Sequence, residues 1–552
     1  MRIFKPMFVA TLAVVTLASC GSVKNVAVPT METAITIGIK KGAVSEEQSN
    51  HWAHADLATD TIPGMSVDKA YKFLEGKTGV TVVVAVIDSG IDIEHEDLKD
   101  VIWTNTKEIA GNGIDDDKNG FVDDMHGWNF LGGDGVAAPE QLEITRLVAE
   151  MNPRFEGKTI ETIAENEKAD FEQYQEYLKA FEVSSGRHFR TMDRMVQIGE
   201  NFDAIKKFLG KDSVTIEDLQ AVKTEDETLQ AQIGDILGLM SRGFDEKGYL
   251  EYYETQKKVK NFDFDFDGRA LVGDNPADIN DTTYGNNNVL GSKDDEIHGT
   301  HVSGIILATR NNGVGMNGVA NNAKLMSVRA VPDGDERDKD VALAIRYAVD
   351  NGAKVINMSF GKNWSPNKQW VFDAIKYAET HDVLLVHAAG NDGKDIDVEH
   401  NWPNDTADKV VEFADNVLTI GAMSVNSDEN LPASFSNYGK LNVDIFAPGV
   451  QIYSTFPKNE YQKISGTSMA SPEVAGVAAL VRSYYPQLSA SQVKHIIMNS
   501  GTKLDMEVIL PGSQSRENPT GKKVKFSELS ITGAITNAYN ALVLADKMVN
   551  GK

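Results

Sequence analysis

Thr81 to Gly90 reads TVVVAVIDSG, and six of its first seven residues are β-branched. An apolar run without polar alternation has to be covered on both faces, the situation of a parallel strand inside an α/β sheet. The run stops at Asp88-Ser89-Gly90, so it has the form of a buried strand that ends in a functional loop. Further strand-like runs lie at 325–330 (LMSVRA), 354–358 (KVINM), 383–387 (VLLVH) and 417–420 (VLTI), with helical patterns at 340–349 and 370–380 between them. Alternating strands and helices predict an α/β fold with a mainly parallel sheet covered on both faces.

One segment breaks this rhythm. From about 137 to 260 the chain is rich in Glu, Lys, Gln, Leu and Met at helical spacing and has almost no strand signal. It reads as a helical insertion, either a solvated decoration or a lid that meets partners. The whole chain has 552 residues, 54 basic against 81 acidic, for a net charge of −27. That balance repels phosphate backbones and argues against a nucleic-acid partner.

The first twenty residues, MRIFKPMFVATLAVVTLASC, combine an early positive charge, an apolar run and small residues before Cys20, the only cysteine in the chain. They read as an export signal. Leu17-Ala18-Ser19-Cys20 resembles the bacterial lipobox, which implies cleavage before Cys20 and lipidation of its thiol. Disulfides then play no part in folding. The polar, weakly patterned stretch that follows, to about residue 63, reads as a tether.

Three short motifs supply an acid, an imidazole and a hydroxyl: Asp88 in VIDSGID, His298 in HGTHVSG and Ser468 in GTSMASPEVAG. Acyl transfer needs this trio, because a serine hydroxyl is a poor nucleophile until a histidine takes its proton, and a carboxylate must orient that histidine. Each motif alone has a plainer reading. Asp88 can cap the turn after its strand, His298 can pair with His301 on one helix face as metal ligands, and Ser468 can be a small residue at a helix start.

Together, in the order Asp, His, Ser and with their flanking residues, the motifs resemble the subtilisin-like serine proteases, the subtilases, over most of residues 80–500. The resemblance implies a three-layer α/β fold and a serine endopeptidase that cleaves proteins or peptides. It implies that Asp88, His298 and Ser468 form the triad, and that Asn391 in HAAGNDG donates to the oxyanion. By the same resemblance Ser359-Phe360-Gly361 and Ala388-Ala389-Gly390 wall the primary specificity pocket, and Gly334 in VPDGDE lies on a second substrate-pairing strand. Glycine and alanine at these walls leave room for a large apolar side chain, while the acids around Gly334 can select basic ones.

The loop NGIDDDKNGFVDD, 112–124, concentrates hard oxygen ligands. Asp115, Asp117, Asn119 and Asp123 or Asp124, with the Phe121 carbonyl and a turn at Gly120, can surround Ca2+. The resemblance adds a calcium position at Asp97 in HEDL and Asn312 in RNNGVGMNGVA. A third acidic cluster, Asp263, Asp265 and Asp267, alternates as a strand would and offers a further candidate metal position.

Asp88 and His298 lie 210 residues apart, far more than compact subtilases need, and the insertion must leave and re-enter near the triad. Glu473 stands where subtilisins often have histidine. The compact inhibitory pro-domain of many secreted subtilases has no counterpart in the pattern before Asp88. The expected organisation is a lipoprotein signal over 1–20, a tether over 21–63, a discontinuous peptidase domain over 64–136 and 261–545, and the insertion over 137–260. The expected protein is an exported, membrane-anchored endopeptidase, periplasmic or on the cell surface. Two alternatives are a silent binding lipoprotein with the same fold and a dedicated maturation protease or transpeptidase.

Overall fold

The computed structural model describes residues 28–31, 44–133, 137–242, 244–294 and 296–551. Among these described residues, thirteen strands in chain order are β1 Val82–Asp88, β2 Gly127–Asn129, β3 Ala323–Arg329, β4 Ala353–Met358, β5 Leu384–Ala388, β6 Val417–Met423, β7 Ile445–Pro448, β8 Ile452–Phe456, β9 Glu460–Ile464, β10 Thr502–Lys503, β11 Glu507–Ile509, β12 Lys523–Lys525 and β13 Ala534–Ile535. Nine form one sheet in the order β10-β13-β7-β6-β5-β4-β1-β3-β2. Every neighbouring pair in it is parallel except β10 with β13.

β1 sits between β3 and β4 and explains the unbroken apolar run. Val82, Val84 and Val86 face one hydrophobic core, while Ala85 and Ile87 face another on the opposite side of the sheet. Side chains alternate along a strand, so covering both faces requires apolar residues at every position. The five sequence-predicted strands are β1, β3, β4, β5 and β6, and the predicted helices span Asp338–Asp350 and Lys368–Thr380. Both of these helices pack in the second core. On the other face lie a helix starting at His298 (His298–Leu307) and one starting at Thr467 (Thr467–Tyr484).

The segment after residue 137 forms helices Glu143–Phe155, Lys168–Leu209, Ile216–Ala221, Glu227–Met240 and Glu246–Lys258. The second has 42 residues, which at 1.5 Å per residue spans about 63 Å. It carries two small cores of its own. One is built around Phe202, Ile205 and Ile236, and the other, around Val148, Phe155 and Phe171, reaches Trp364.

Two expectations are corrected. Residues 44–63 are not a loose tether: they form short helices that bury Trp52, His54 and Leu57 against the first core. Their polar composition hid a few apolar anchors that suffice to dock them. Asp263, Asp265 and Asp267 lie in turns rather than a strand. There Asp263 pairs with Lys260 at 2.9 Å and Asp267 accepts from the Arg269 N–H. The signal segment and Cys20 lie outside the described residues, and among those described no helix is long and apolar enough to cross a membrane.

Candidate active site

Asp88 is the last residue of β1, and at 1% exposure its carboxylate is sealed from solvent. The helix that starts at His298 comes close to it because its second residue is Gly299. A Cβ there would lie 2.3 Å from the Gly90 carbonyl oxygen and 3.1 Å from the Asp88 Cβ. In the resulting contact His298 Nδ1 stands 2.8 Å from Asp88 Oδ1. Burial pulls the His298 pKa down, but the charge and hydrogen bond of Asp88 outweigh it and leave the imidazole more basic than usual.

His301, one turn on, faces elsewhere. Its Nε2 lies 3.0 Å and 3.1 Å from the carbonyls of Ile452 and Gln462 in the β8–β9 hairpin, and burial lowers its pKa to about 4. The histidine pair is therefore not a metal pair: one ring turns to the acid, the other props a hairpin.

Ser468 opens the helix Thr467–Tyr484, which is held to the sheet by a chain of polar contacts. Ser359 Oγ donates to the Ser468 carbonyl at 2.9 Å and accepts from Asn357 Nδ2 at 2.9 Å, and Ser471 Oγ donates to Asn357 Oδ1 at 2.8 Å. Gly476 lets the helix lie close, since a Cβ there would be 2.5 Å from Val319 Cβ. The Ser468 hydroxyl donates to the Ser359 carbonyl at 3.0 Å. In this pose the hydroxyl proton goes to a backbone carbonyl.

Asn391 is oriented by Thr467. Its Oδ1 accepts from the Thr467 N–H at 2.8 Å and from the Thr467 hydroxyl at 2.9 Å, which leaves Nδ2 to point away. A Cβ built on Gly466 would lie 3.6 Å from both Asn391 Nδ2 and the Ser468 nitrogen. Two N–H donors thus border one small space, which can hold an oxygen that acquires negative charge.

Beside this space is a cavity of about 320 Å3. From the sheet it takes Ser359, Phe360, Gly361, Ala388, Gly390 and Asn391, together with Ser468. Ala389 is fully buried behind the wall, where its carbonyl accepts from Asn401 and Asn437.

An acid, an imidazole and a hydroxyl on a parallel α/β sheet, beside two N–H donors, match what a comparison by sequence finds: the family model described as "Subtilase family" (peptidase S8) aligns with residues 79–518. The chain belongs to the subtilase family. The subtilase is 38% identical over 209 residues to Subtilisin DY of Bacillus licheniformis, a match covering 38% of this chain and 71% of that one. It is 40% identical over 220 residues to the Thermophilic serine proteinase of Bacillus sp. strain AK1, covering 40% and 48%. Against Thermitase of Thermoactinomyces vulgaris the identity is 38% over 208 residues, covering 38% and 68%. It is a subtilisin-like serine endopeptidase.

In this subtilase the small residues of the pocket walls have a reason the sequence did not show. Gly390 has φ of +101°, and a Cβ on it would collide with Asn437 Nδ2 at 2.4 Å. A Cβ on Gly361 would meet Asn401 Oδ1 at 2.7 Å. These glycines make room for the asparagines behind the wall as well as for a ligand in front.

Gly334 is not among the cavity's lining residues. Gly334 lies outside the strands, and the backbone on either side of it is taken by the chain itself: the Asp333 and Asp335 N–H groups donate to the carbonyls of Ala138 and Gln141 at 2.8 Å and 3.2 Å. This is where the helical segment leaves and returns, since Asn261 Nδ2 donates to the Asp333 carbonyl at 2.9 Å and the Leu142 N–H donates to the Asn261 carbonyl at 3.0 Å. Of the acids beside Gly334, Asp335 does line the cavity and Asp333 is exposed. Asp335 Oδ2 accepts from the Glu143 N–H at 2.8 Å, and Asp338 pairs with Lys362 at 2.9 Å.

Sequence reasoning missed the residues that dock the insertion at the cleft. Leu142, Ile144 and Ser184 from the helical segment line the same cavity as Ser468. Lys362, directly after Ser359-Phe360-Gly361 and 5% exposed, binds Glu143 at 2.7 Å and the Glu336 carbonyl at 2.7 Å. Trp364 packs edge-on against Tyr177 of the long helix, with ring centroids 5.0 Å apart. Lys362 and Glu143 are 219 residues apart, so no local pattern could pair them.

The acidic loop folds differently from the expected ligand set. Ligand-capable atoms of Glu108, Asp115 and Asp117 fall within 4.8 Å of one another. Glu108, four residues before the quoted loop, was not foreseen. Asp123 points away from them, accepting from the Asn112 and Gly113 N–H groups at 3.2 Å and 2.9 Å. Asp124 is buried and held by Tyr347, Asn105 and Asn119, while the Asn119 Oδ1 accepts from the Phe121 N–H. Asp97 and Asn312 do meet: Asn312 Nδ2 donates to Asp97 Oδ1 at 2.7 Å, and the Met316 N–H donates to Oδ2 at 3.1 Å.

Proposed function

We propose that Ser468 is the nucleophile of this endopeptidase, His298 its general base and then acid, Asp88 the group that orients His298, and Asn391 with the Ser468 N–H the oxyanion donors. The observation that supports this reading most directly is the 2.8 Å contact between the sealed Asp88 carboxylate and His298 Nδ1. It leaves Nε2 as the basic nitrogen on the side open to substrate. His298 takes the hydroxyl proton as Ser468 attacks the scissile carbonyl, then returns it to the leaving amine, and water repeats the cycle on the acyl-enzyme. Labelling with a serine-directed fluorophosphonate tests the assignment: the parent protein should label and Ser468→Ala should not. Equal labelling of the two would defeat it, and absence of labelling in the parent would favour the silent binding protein.

Gly466 offers a finer test. Its backbone is extended, with φ of 169°, so alanine fits the chain, but the added methyl enters the space between the two donors. Gly466→Ala is expected to lower kcat about 100- to 1000-fold, the scale borrowed from loss of one such donor in subtilisin. The melting temperature should change little. An unchanged kcat would show that the oxyanion is held elsewhere.

Structural calcium fits two places. Glu108, Asp115 and Asp117 present converging carboxylates, which repel one another without a cation. At Asp97 and Asn312 a cation would take the Asp97 carboxylate and require the Asn312 amide to turn, since its Nδ2 now donates to Asp97 while its Oδ1 accepts from the Val314 N–H. Chelation should lower the melting temperature and added Ca2+ restore it, and indifference to both would argue against calcium. Cys20 anchors the protein to a membrane through lipid in this reading, with folded substrates or peptides met outside the cytoplasm. Release of a Cys20→Ala variant into the soluble fraction would support the anchor, and continued membrane retention would oppose it.

A further inference from the structure

We propose that His51, His54 and Asp68 form a binding site for a borderline divalent cation of the zinc class, separate from the acidic calcium loops and from the Ser468 centre. His51 and His54 lie in the short helices Glu46–His51 and Trp52–His54, and Asp68 in the helix Val67–Leu74. One ligand-capable atom from each falls within 4.8 Å of the others.

His51 Nε2 and Asp68 Oδ2 already stand 2.8 Å apart with a proton between them, and a cation that replaces that proton gains two ligands with little movement. His54 supplies an independent indication. It is 4% exposed, and its Nδ1 is buried without a hydrogen-bond partner. Such an orphan is destabilising, and coordination of that nitrogen would remove the cost.

The two imidazole rings lie 4.7 Å apart, edge to face. Zn–N and Zn–O bonds of about 2.0–2.2 Å set tetrahedral ligands roughly 3.3 Å apart, a spacing these side chains reach by small rotations. Two imidazoles and one carboxylate are a donor set for zinc-class ions rather than for calcium. Three protein ligands leave a fourth position, and both histidines line a cavity of about 870 Å3 that can supply water to it.

Glu46, Glu47 and Glu473 line the same cavity as the two histidines. Arg310 faces the other Asp68 oxygen at 3.8 Å and stacks on Tyr71 at 3.9 Å, and Lys69 is paired with Asp56 at 3.2 Å. The Arg310 charge opposes a second cation, and the imidazole donors must offset it. A bound ion would pin residues 51–54 to the helix that precedes β1, which makes it a structural clamp on the start of the folded body.

The test uses the full chain, tag-free and carrying Ser468→Ala to prevent self-digestion. It is stripped with chelator, then given excess Ca2+ to fill the acidic loops. Zn2+ is titrated calorimetrically and Co2+ by visible absorption. The expected result is one equivalent bound, with the intense d–d bands of a tetrahedral Co2+ site. His51→Gln and Asp68→Asn replace half-exposed side chains and should each weaken Zn2+ binding by at least about tenfold, with circular dichroism unchanged. No uptake of either ion, or uptake untouched by both substitutions, would overturn the proposal and leave His51 and Asp68 as a hydrogen-bonded pair.

Discussion

Asp88→Asn is expected to lower kcat by about 10^4-fold, a magnitude borrowed from the corresponding change in trypsin, with KM and folding stability close to the parent's. The residue is sealed and its Oδ1 holds His298 Nδ1 at 2.8 Å. An amide of the same shape can present its NH2 group there, which favours the tautomer with the proton on Nε2 and leaves Ser468 without a base. The substitution also removes the charge that makes His298 more basic than usual. In the parent, kcat/KM should rise with pH along a limb centred above 6.5, the ordinary imidazole value, because only neutral His298 can accept the proton. In Asp88→Asn the residual activity should follow a limb at lower pH. A pH–rate profile of both proteins on a peptide substrate reads both effects, and identical limbs would remove His298 from the role of base.

Lys362→Met is expected to cost about 3–5 kcal/mol of stability and to loosen the helical segment from the cleft. The lysine is buried with Glu143 at 2.7 Å and Asp338 at 2.9 Å, so its removal leaves two carboxylates out of water without their shared cation. Arg146, 2.6 Å from Glu143, relieves part of that cost. Burial alone would raise the Glu143 pKa, but Lys362 and Arg146 hold it at about 2. A carboxyl depressed in the folded state stabilises it above its unfolded value of 4.5, and that contribution fades as pH falls through about 2. Urea titration in a Ser468→Ala background between neutral pH and pH 3 should show the parent losing stability on acidification and the Lys362→Met protein losing less. Because Leu142 and Ile144 line the cavity that holds Ser468, an active Lys362→Met enzyme should also change its KM for peptides more than its kcat. Unchanged stability and unchanged selectivity together would reduce the ion cluster to surface decoration.

Much of the site was legible because it is local. Asp88 ends an apolar run, His298 and Ser468 open helices rich in small residues, and Asn391 follows a strand. Each therefore sits at the edge of a recognisable element, and the order of the three motifs identified the chemistry. The five central strands were legible for the same reason: burial on both faces demands apolar side chains at successive positions. The short strands β2, β10 and β13, of two or three residues, lacked the length for a period to show. Residues 44–63 were misjudged because a few buried anchors in a polar stretch outweigh its average composition.

What the sequence determined by itself was the α/β class and the helical nature of residues 137–260, which depend on residue type and spacing along the chain, and, through the resemblance of its three motifs to the subtilases, the acyl-transfer chemistry. The tertiary structure decided which way each polar group faces. It turned His301 to a hairpin and not to a metal, enlisted Glu108 in the acid cluster and swung Asp123 out of it, and joined Lys362 to Glu143 at the rim of the cleft. Those outcomes rest on contacts a few ångströms long between residues far apart in sequence. Burial makes such contacts strong by removing water, but only the folded chain shows which groups are buried together.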